Sequence, residues 1–324
     1  MKRPRVALIG AGRMGSNHAR VIHESEHAEL NIVIDNNRTA AETLANHHQV
    51  RVGHEIADAL RADAVVIAAS SASHLECARP VLEAGIPVLV EKPLAMTLSD
   101  VDTLVDLATC SGTPLMCGLV ERYSAAIKTA LEQLGDRRPT HLLTVRHSPP
   151  AAHIASSVVA DLLLHDLDTA LRFFKTDHAK LHGATVLRPP HSDFDEVVDC
   201  TLSLAGGMAS LSASRMGQRK VRTMSVYAED VLLEIDLLRQ TVTKYRNVSQ
   251  EMMALGAGYR SSTEIEIPFV RHHGEPLALQ FAHFLQIVDG RADAAEELSG
   301  VRPPHVLMAA IDELGSRMGR KCED

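Results

Sequence analysis

RVALIGAGRMGSNHARVIHESEHAELNIVID, residues 5–35, carries the reading that decides the fold. Residues 5–9 are a short apolar run that stops at Gly10, and Gly12 and Gly15 follow at the spacing GxGxxG. Beyond them HARVIHES continues as a helix, and a second apolar run, LNIVID, ends on Asp35. A strand that breaks at glycine, resumes as a helix and returns as a strand is a parallel crossover unit, since parallel neighbours cannot be joined by a tight turn.

The rhythm repeats outward from there. NRTAAETLANHH reads as helix, AVVIAAS as strand, HLECARPVLEAG as helix, PVLVEKP as strand and SDVDTLVDLATCSG as helix, up to PLMCG. This alternation predicts an α/β domain over residues 1–119, a doubly wound parallel sheet with helices on both faces. After about residue 120 the pattern changes. ERYSAAIKTALEQLG and ADLLLHDLDTALRFF, the latter residues 160–174, read as helices, with the strand THLLTVRH between them. VVDCTLSLAGGMASLSASR alternates on either side of a Gly-Gly hairpin, and RTMSVYAED, VLLEID and QTVTKYR extend the antiparallel pattern before two closing helices. Residues 120–324 are therefore expected to form an α+β domain with an open, mainly antiparallel sheet and helices on one side.

Composition narrows the function. A chain of 324 residues suits two domains, and 45% hydrophobic with 23% charged residues is globular. The net charge of −8 argues against a nucleic-acid partner, and the absence of tryptophan leaves few stacking platforms for single strands. Five cysteines without a CxxC pair fit reduced thiols and a cytoplasmic setting, and they read as packing residues. The apolar run after MKRPR ends in glycines too soon for a signal or membrane segment. Most of the eighteen histidines read as surface residues of no chemical consequence.

The glycine loop carries the first chemical expectation. Gly10, Gly12 and Gly15, with Arg13 and Met14 between them, follow a strand and open a helix. Their backbone can approach a pyrophosphate, which the helix N-terminus neutralises with oriented N–H groups. Asp35, twenty residues beyond Gly15, is placed to accept hydrogen bonds from the adenosine ribose. The expected cofactor is NAD, because a carboxylate repels a 2′-phosphate; nearby Arg38 is the one residue that pulls towards NADP.

In the helix at 160–174, Asp161, His165 and Asp168 fall within an arc of roughly 60°, on an otherwise apolar cylinder. Such a stripe is a solvated edge with His165 bonded to Asp161, or it faces a site. A metal site is not expected, since the stripe has one histidine and no cysteine.

GxGxxG, the strand-end EKP at residues 91–93 and the later DxxxHxxD together resemble the glucose-fructose oxidoreductase and inositol dehydrogenase family, Gfo/Idh/MocA. The resemblance spans the chain. It implies an N-terminal Rossmann domain for a nicotinamide cofactor, and a C-terminal sheet giving substrate contacts and oligomer interfaces. The family's lysine falls on Lys92, its aspartate and histidine on Asp161 and His165. His74 matches the histidine beside the nicotinamide ribose, although Ser70 to Ser73 depart from the usual residues there. Glu91 belongs with the cofactor end, in an ion-pair or capping role. Within the family, GLVERYSAAI at residues 118–127 is similar to a segment of UDP-N-acetylglucosamine 3-dehydrogenases, departing from it at Leu119, Tyr123 and Ser124.

That resemblance implies NAD-dependent oxidation of the 3-hydroxyl of UDP-N-acetylglucosamine. His165 would be the general base, with Lys92 steadying the alkoxide and sharing the proton relay. Asp161 would orient His165 or hold a sugar hydroxyl, and Asp168 would be structural. Arg122, Tyr123, Arg215 and Arg219 join the expected substrate set, with Lys220 and Arg222 as further cations for a diphosphate. The alternatives are an inositol or free-sugar dehydrogenase, a non-catalytic NAD-sensing regulator and an NAD-dependent glycosidase. A homodimer or homotetramer built through the open sheet is the expected assembly, with no nucleic-acid or membrane partner.

Overall fold

β1 (Arg5–Ile9) ends where Gly10 takes φ +107°, a region side chains avoid, and a Cβ there would stand 2.5 Å from the Ala68 backbone. The turn feeds α1 (Arg13–Glu24), then β2 (Glu29–Ile34), α2 (Arg38–His48), β3 (Arg51–Gly53), β4 (Ala64–Ile67), α3 (His74–Glu83), β5 (Val88–Glu91), α4 (Leu98–Ser111) and β6 (Leu115–Gly118). All five neighbouring strand pairs are parallel, in the order β3-β2-β1-β4-β5-β6. β1, β4 and β5 are buried almost throughout, as a sheet covered on both faces requires. The strand order reverses between β1 and β4, and ligands of such sheets bind at that switch, beyond the carboxyl ends of the strands.

The computed structural model describes residues 3–150, 155–252 and 259–319. Its backbone contacts divide the chain into two units, the first running to Val120 and taking in Gly274–Ala309, the second formed by Glu121–His273 with the chain from Ala310 onward.

In the second unit a 3₁₀ turn, Val120–Tyr123, precedes α5 (Ala125–Leu134), whose N-cap Ser124 accepts from the Ile127 N–H. β7 (Pro139–His147) follows, then a π-helical turn, Val159–Leu163, continuous with α6 (Leu164–Phe173). Seven strands complete the sheet: β8 (Lys180–Leu187), β9 (Val197–Leu204), β10 (Gly207–Ser214), β11 (Val221–Ala228), β12 (Val231–Asp236), β13 (Thr241–Met252) and β14 (Tyr259–Glu266). Their order is β14-β13-β12-β11-β7-β10-β9-β8, antiparallel except for the parallel pair β7 and β10. Alternate residues Leu142, Thr144 and Arg146 of β7 are buried, while His141, Leu143, Val145 and His147 on the opposite face are partly exposed. The Gly-Gly hairpin is there, with Ala205 and Gly206 both at positive φ.

The closing helices are α7 (Pro276–Val288), α8 (Ala294–Ser299) and α9 (Arg302–Gly319). β3, β8, β14 and α8 were not legible in the sequence. β3 has three residues, β8 is interrupted by Gly183, and neither repeats an apolar period. Among the cysteines, Cys77, Cys117 and Cys200 are buried as expected, Cys110 is exposed, and Cys322 lies outside the described residues. Most of the described histidines are exposed or partly exposed as expected; the exceptions include His18 and His305, 0% exposed, and His74, 1% exposed.

Asp312 on α9 offers a test of burial in the second unit. Burial pushes its carboxyl up to about 6 from 3.8, outweighing the Ser157 hydroxyl that donates to it at 3.1 Å. An acid raised in the folded state costs stability above its folded pKa and is relieved as pH falls towards the unfolded value. Asp312→Asn is expected to stabilise the protein at neutral pH by roughly 1–3 kcal/mol, with the gain vanishing near pH 4, as read by chemical denaturation. A less stable variant at neutral pH would contradict the assignment.

Candidate active site

The glycine loop forms a cradle at the start of α1. Gly12 is the N-cap, no side chain caps the helix, and a Cβ on Gly12 would meet nothing within 4 Å. Gly15 differs: its Cβ would stand 1.9 Å from the Gly10 carbonyl oxygen, so this glycine lets helix and strand pack. Asp35 is fixed by the Ala11 N–H at 2.6 Å and the Asn37 N–H at 2.7 Å. It lines a cavity of about 300 Å³ with Ile9, Gly10, Ile34, His54 and Ile56. Uncapped N–H groups facing open space, beside a cavity of mixed lining in which Asp35 is anchored, fit the pyrophosphate and adenosine of a dinucleotide. Arg13 and Arg38, the first residues of α1 and α2, are exposed, and Met14 is half-buried.

The two glycines separate cofactor binding from folding. Gly12→Ala is expected to keep the melting temperature and lose most NAD affinity, because its methyl group enters the cradle. Gly15→Ala should lower stability by about 1–3 kcal/mol or more, because the methyl group meets backbone. Calorimetric titration and thermal melting check both, and unchanged NAD affinity in Gly12→Ala would sink the cradle.

Lys92 follows β5 directly and is half-buried. Its surroundings within the first unit are three buried histidines. His18 of α1 donates from Nε2 to Glu91 Oε1 at 2.7 Å, and the other Glu91 oxygen accepts the Lys92 N–H at 3.1 Å. Burial pushes the Glu91 carboxyl up, but His18 and Lys92 outweigh it and hold the group below the ordinary glutamate value. His74 donates from Nδ1 to the Pro93 carbonyl at 2.8 Å, and burial lowers its pKa. His305 accepts the Leu94 N–H at Nε2, 2.9 Å away. Ser70 and Ser73 bond one another through their hydroxyls at 2.8 Å.

In the second unit the aspartates around α6 each meet an arginine. Arg122 grips both oxygens of Asp168 at 2.7–3.2 Å, with both side chains 4% exposed. Arg146 grips Asp166 at 2.8–3.0 Å and donates a further 2.8 Å bond to Glu121. Arg215 donates to Glu196 at 2.7 Å and to the Ser156 carbonyl at 2.7 Å, with Nη1 at 3.6 Å from Asp161 Oδ2. The solvated-edge reading of this helix is therefore overturned for Asp168, which is 3% exposed, and His165 is 9% exposed. Asp161 sits in the π turn, so the angular argument made for a uniform α-helix does not extend to it.

The arginines expected to meet a diphosphate divide in two. Arg122 and Arg215 are buried against carboxylates. Arg219 and Lys220 are exposed, and Arg222 is 37% exposed, 4.0 Å from Glu121. Burial and then Arg146 lower the pKa of Arg222. Tyr123 is buried, with Lys128 Nζ 5.4 Å from its ring centre. Among the described residues no group of three or more His, Cys, Asp or Glu could hold a metal, and no helix is long and apolar enough to cross a membrane. Sequence reasoning missed His18 and His305; their place on apolar helix faces, beside Val21 and Ile22 and beside Met308, was the available signal.

Residues 4–119 match the model of the Gfo/Idh/MocA oxidoreductases, described as an NAD-binding Rossmann fold. The chain is 29% identical to UDP-N-acetylglucosamine 3-dehydrogenase of Acidithiobacillus ferrooxidans over 315 residues, 95% of each chain. It is also 24% identical to an inositol 2-dehydrogenase of Rhizobium meliloti, covering 90% of both. The solved structure of the Acidithiobacillus enzyme shares the fold at a TM-score of 0.83, 24% identity, over 97% of this chain and 98% of that one. The matched model is that of an NAD-binding domain, and the cradle at Gly12 with Asp35 lies in the stretch it covers and fits NAD.

Proposed function

We propose that this chain is an NAD-dependent dehydrogenase that oxidises the 3-hydroxyl of a nucleotide sugar, UDP-N-acetylglucosamine in the first instance. The observation that carries the reading is the match to a UDP-N-acetylglucosamine 3-dehydrogenase over 95% of both chains. NAD, when bound, supplies the hydride acceptor. The chain has to remove the hydroxyl proton and hold the charge that develops on oxygen. We assign the proton to His165 and the charge to Lys92, whose ammonium is the cation at the strand end. Asp161 orients the imidazole or holds a neighbouring hydroxyl, and Arg215 Nη1 lies 3.6 Å from its Oδ2. The diphosphate falls to Arg219, Lys220 and Arg222, because Arg122 and Arg215 already neutralise buried carboxylates.

One observation favours a second reading, a free inositol or sugar: those two paired arginines, together with the inositol dehydrogenase matched over 90% of both chains. Incubating the protein with NAD and either UDP-N-acetylglucosamine, other UDP-sugars or inositols, and following NADH, separates them. The proposal expects NADH with the UDP-sugar, and loss of affinity in Arg222→Ala. NADH from inositols alone would replace it with the second reading, and none from any substrate would leave a binding protein or, if free sugar is released, an NAD-dependent glycosidase.

We propose further that copies of the chain associate through the open sheet face. Across the register Met208, His141, Tyr227, Leu232, Tyr245 and Ile265 stand side by side on that face, with His141 and Tyr227 stacked at 5.7 Å. Met208 is 43% and Ile265 60% exposed, and such a row is seldom left in water. Light scattering is expected to give a dimer or tetramer; a monomer at micromolar concentration contradicts it.

A further inference from the structure

We propose that His305, supported by His74 and His18, is a positioning residue that fixes the backbone of Glu91–Leu94 and so aims Lys92 at the substrate alcohol. The inference rests on the assignment of Lys92 to the reaction.

A lysine side chain has four flexible carbons and is aimed only as well as its Cα–Cβ bond. Glu91 is the last residue of β5 paired to β6, so the chain beyond it leaves the ladder that held it. Leu94 is 0% exposed, and buried backbone groups outside a sheet need other partners. Three of these groups are met by side chains. The Lys92 N–H goes to Glu91, which His18 of α1 holds in turn. The Pro93 carbonyl accepts from His74 of α3, and the Leu94 N–H is accepted by His305 of α9.

His305 is the most constrained of the three. Its Nδ1 lies 2.7 Å from the Val301 carbonyl, which can only accept, so Nδ1 carries the proton and Nε2 is left as the acceptor that Leu94 requires. Only the neutral ring in this tautomer makes both bonds.

The test compares His305→Leu, which removes the acceptor, with His305→Gln, which keeps an acceptor oxygen near the same place. The clamp expects the leucine variant to lose turnover by on the order of 10²-fold, with calorimetric NAD affinity close to the parent and a melting temperature lowered by the Leu94 N–H left without its acceptor. Its Leu94 amide should exchange faster with deuterium, and glutamine should restore most of the turnover and the protection. Parental turnover in a folded leucine variant overturns the proposal, as does equal loss in both variants with Leu94 still protected. If the leucine variant does not fold, the unsubstituted protein decides: Leu94 must exchange as slowly as Leu89 and Val90 of β5, and exchange at loop rates overturns the clamp. Lys92→Met in the same assay separates the two assignments. Undiminished turnover there removes the role of Lys92 itself, whereas loss there without loss in His305→Leu removes only the clamp.

Discussion

Lys92→Met is expected to lower turnover by about 10²–10⁴-fold while leaving NAD affinity within a few-fold of the parent. Methionine keeps the length and apolar stem of the side chain and removes the ammonium. The residues that form the dinucleotide cradle, Gly10, Gly12, Gly15 and Asp35, lie just beyond β1 and β2 and at the start of α1, apart in the chain from Lys92 at the end of β5. Glu91 keeps His18 as its partner in the variant, so the buried pair and the β5 to β6 pairing should survive. Loss of turnover should therefore come with an unchanged melting curve and an unchanged NAD titration. Parental turnover with the substrate that yields NADH would remove Lys92 from the chemistry.

Arg146→Met is expected to cost about 3–5 kcal/mol of stability, roughly 10 °C or more in melting temperature. Arg146 lies on the helix-covered face of β7, its side chain 3% exposed, and it meets Asp166 and Glu121 together. Burial opposes its charge, but the two carboxylates outweigh burial and keep the guanidinium protonated. Removing the cation leaves Asp166, 2% exposed, without its arginine in a low-dielectric interior. Arg146→Met combined with Asp166→Leu should recover much of the loss, because deleting both members of a buried pair costs far less than deleting one. Equal destabilisation in the single and double variants would show that packing, not charge, sets the cost.

Much of the fold was legible because its first half obeys one rule. Short apolar runs broken by glycine and separated by helices leave little choice but a parallel sheet, and the Asp35 carboxylate and the glycine cradle lie at the expected strand ends. The antiparallel half was legible where strands alternate, as in β9 and β10, and illegible where they do not, as in β8. The return of residues 274–309 to the first unit left no local trace, since it depends on which apolar faces meet in space.

The candidate site divides along the same line. Lys92, Asp161 and His165 are visible in the sequence because their motifs are short and local. The partners of those motifs come from far along the chain. His305 is 211 residues from Leu94, His18 is 73 from Glu91, and Arg122 is 46 from Asp168. Arginine near a proposed phosphate site looks the same in sequence whether it faces solvent or a buried aspartate. Only burial distinguishes Arg122 from Arg219.

We propose that Lys92 and His165 act together in a single chemical step. The most direct measurement is a double-variant cycle on turnover with Lys92→Met, His165→Asn and both together. Residues that act as one unit lose their effect together, so the double variant is expected to fall no more than about tenfold below the worse single one. Independent losses that multiply in the double variant would contradict the claim.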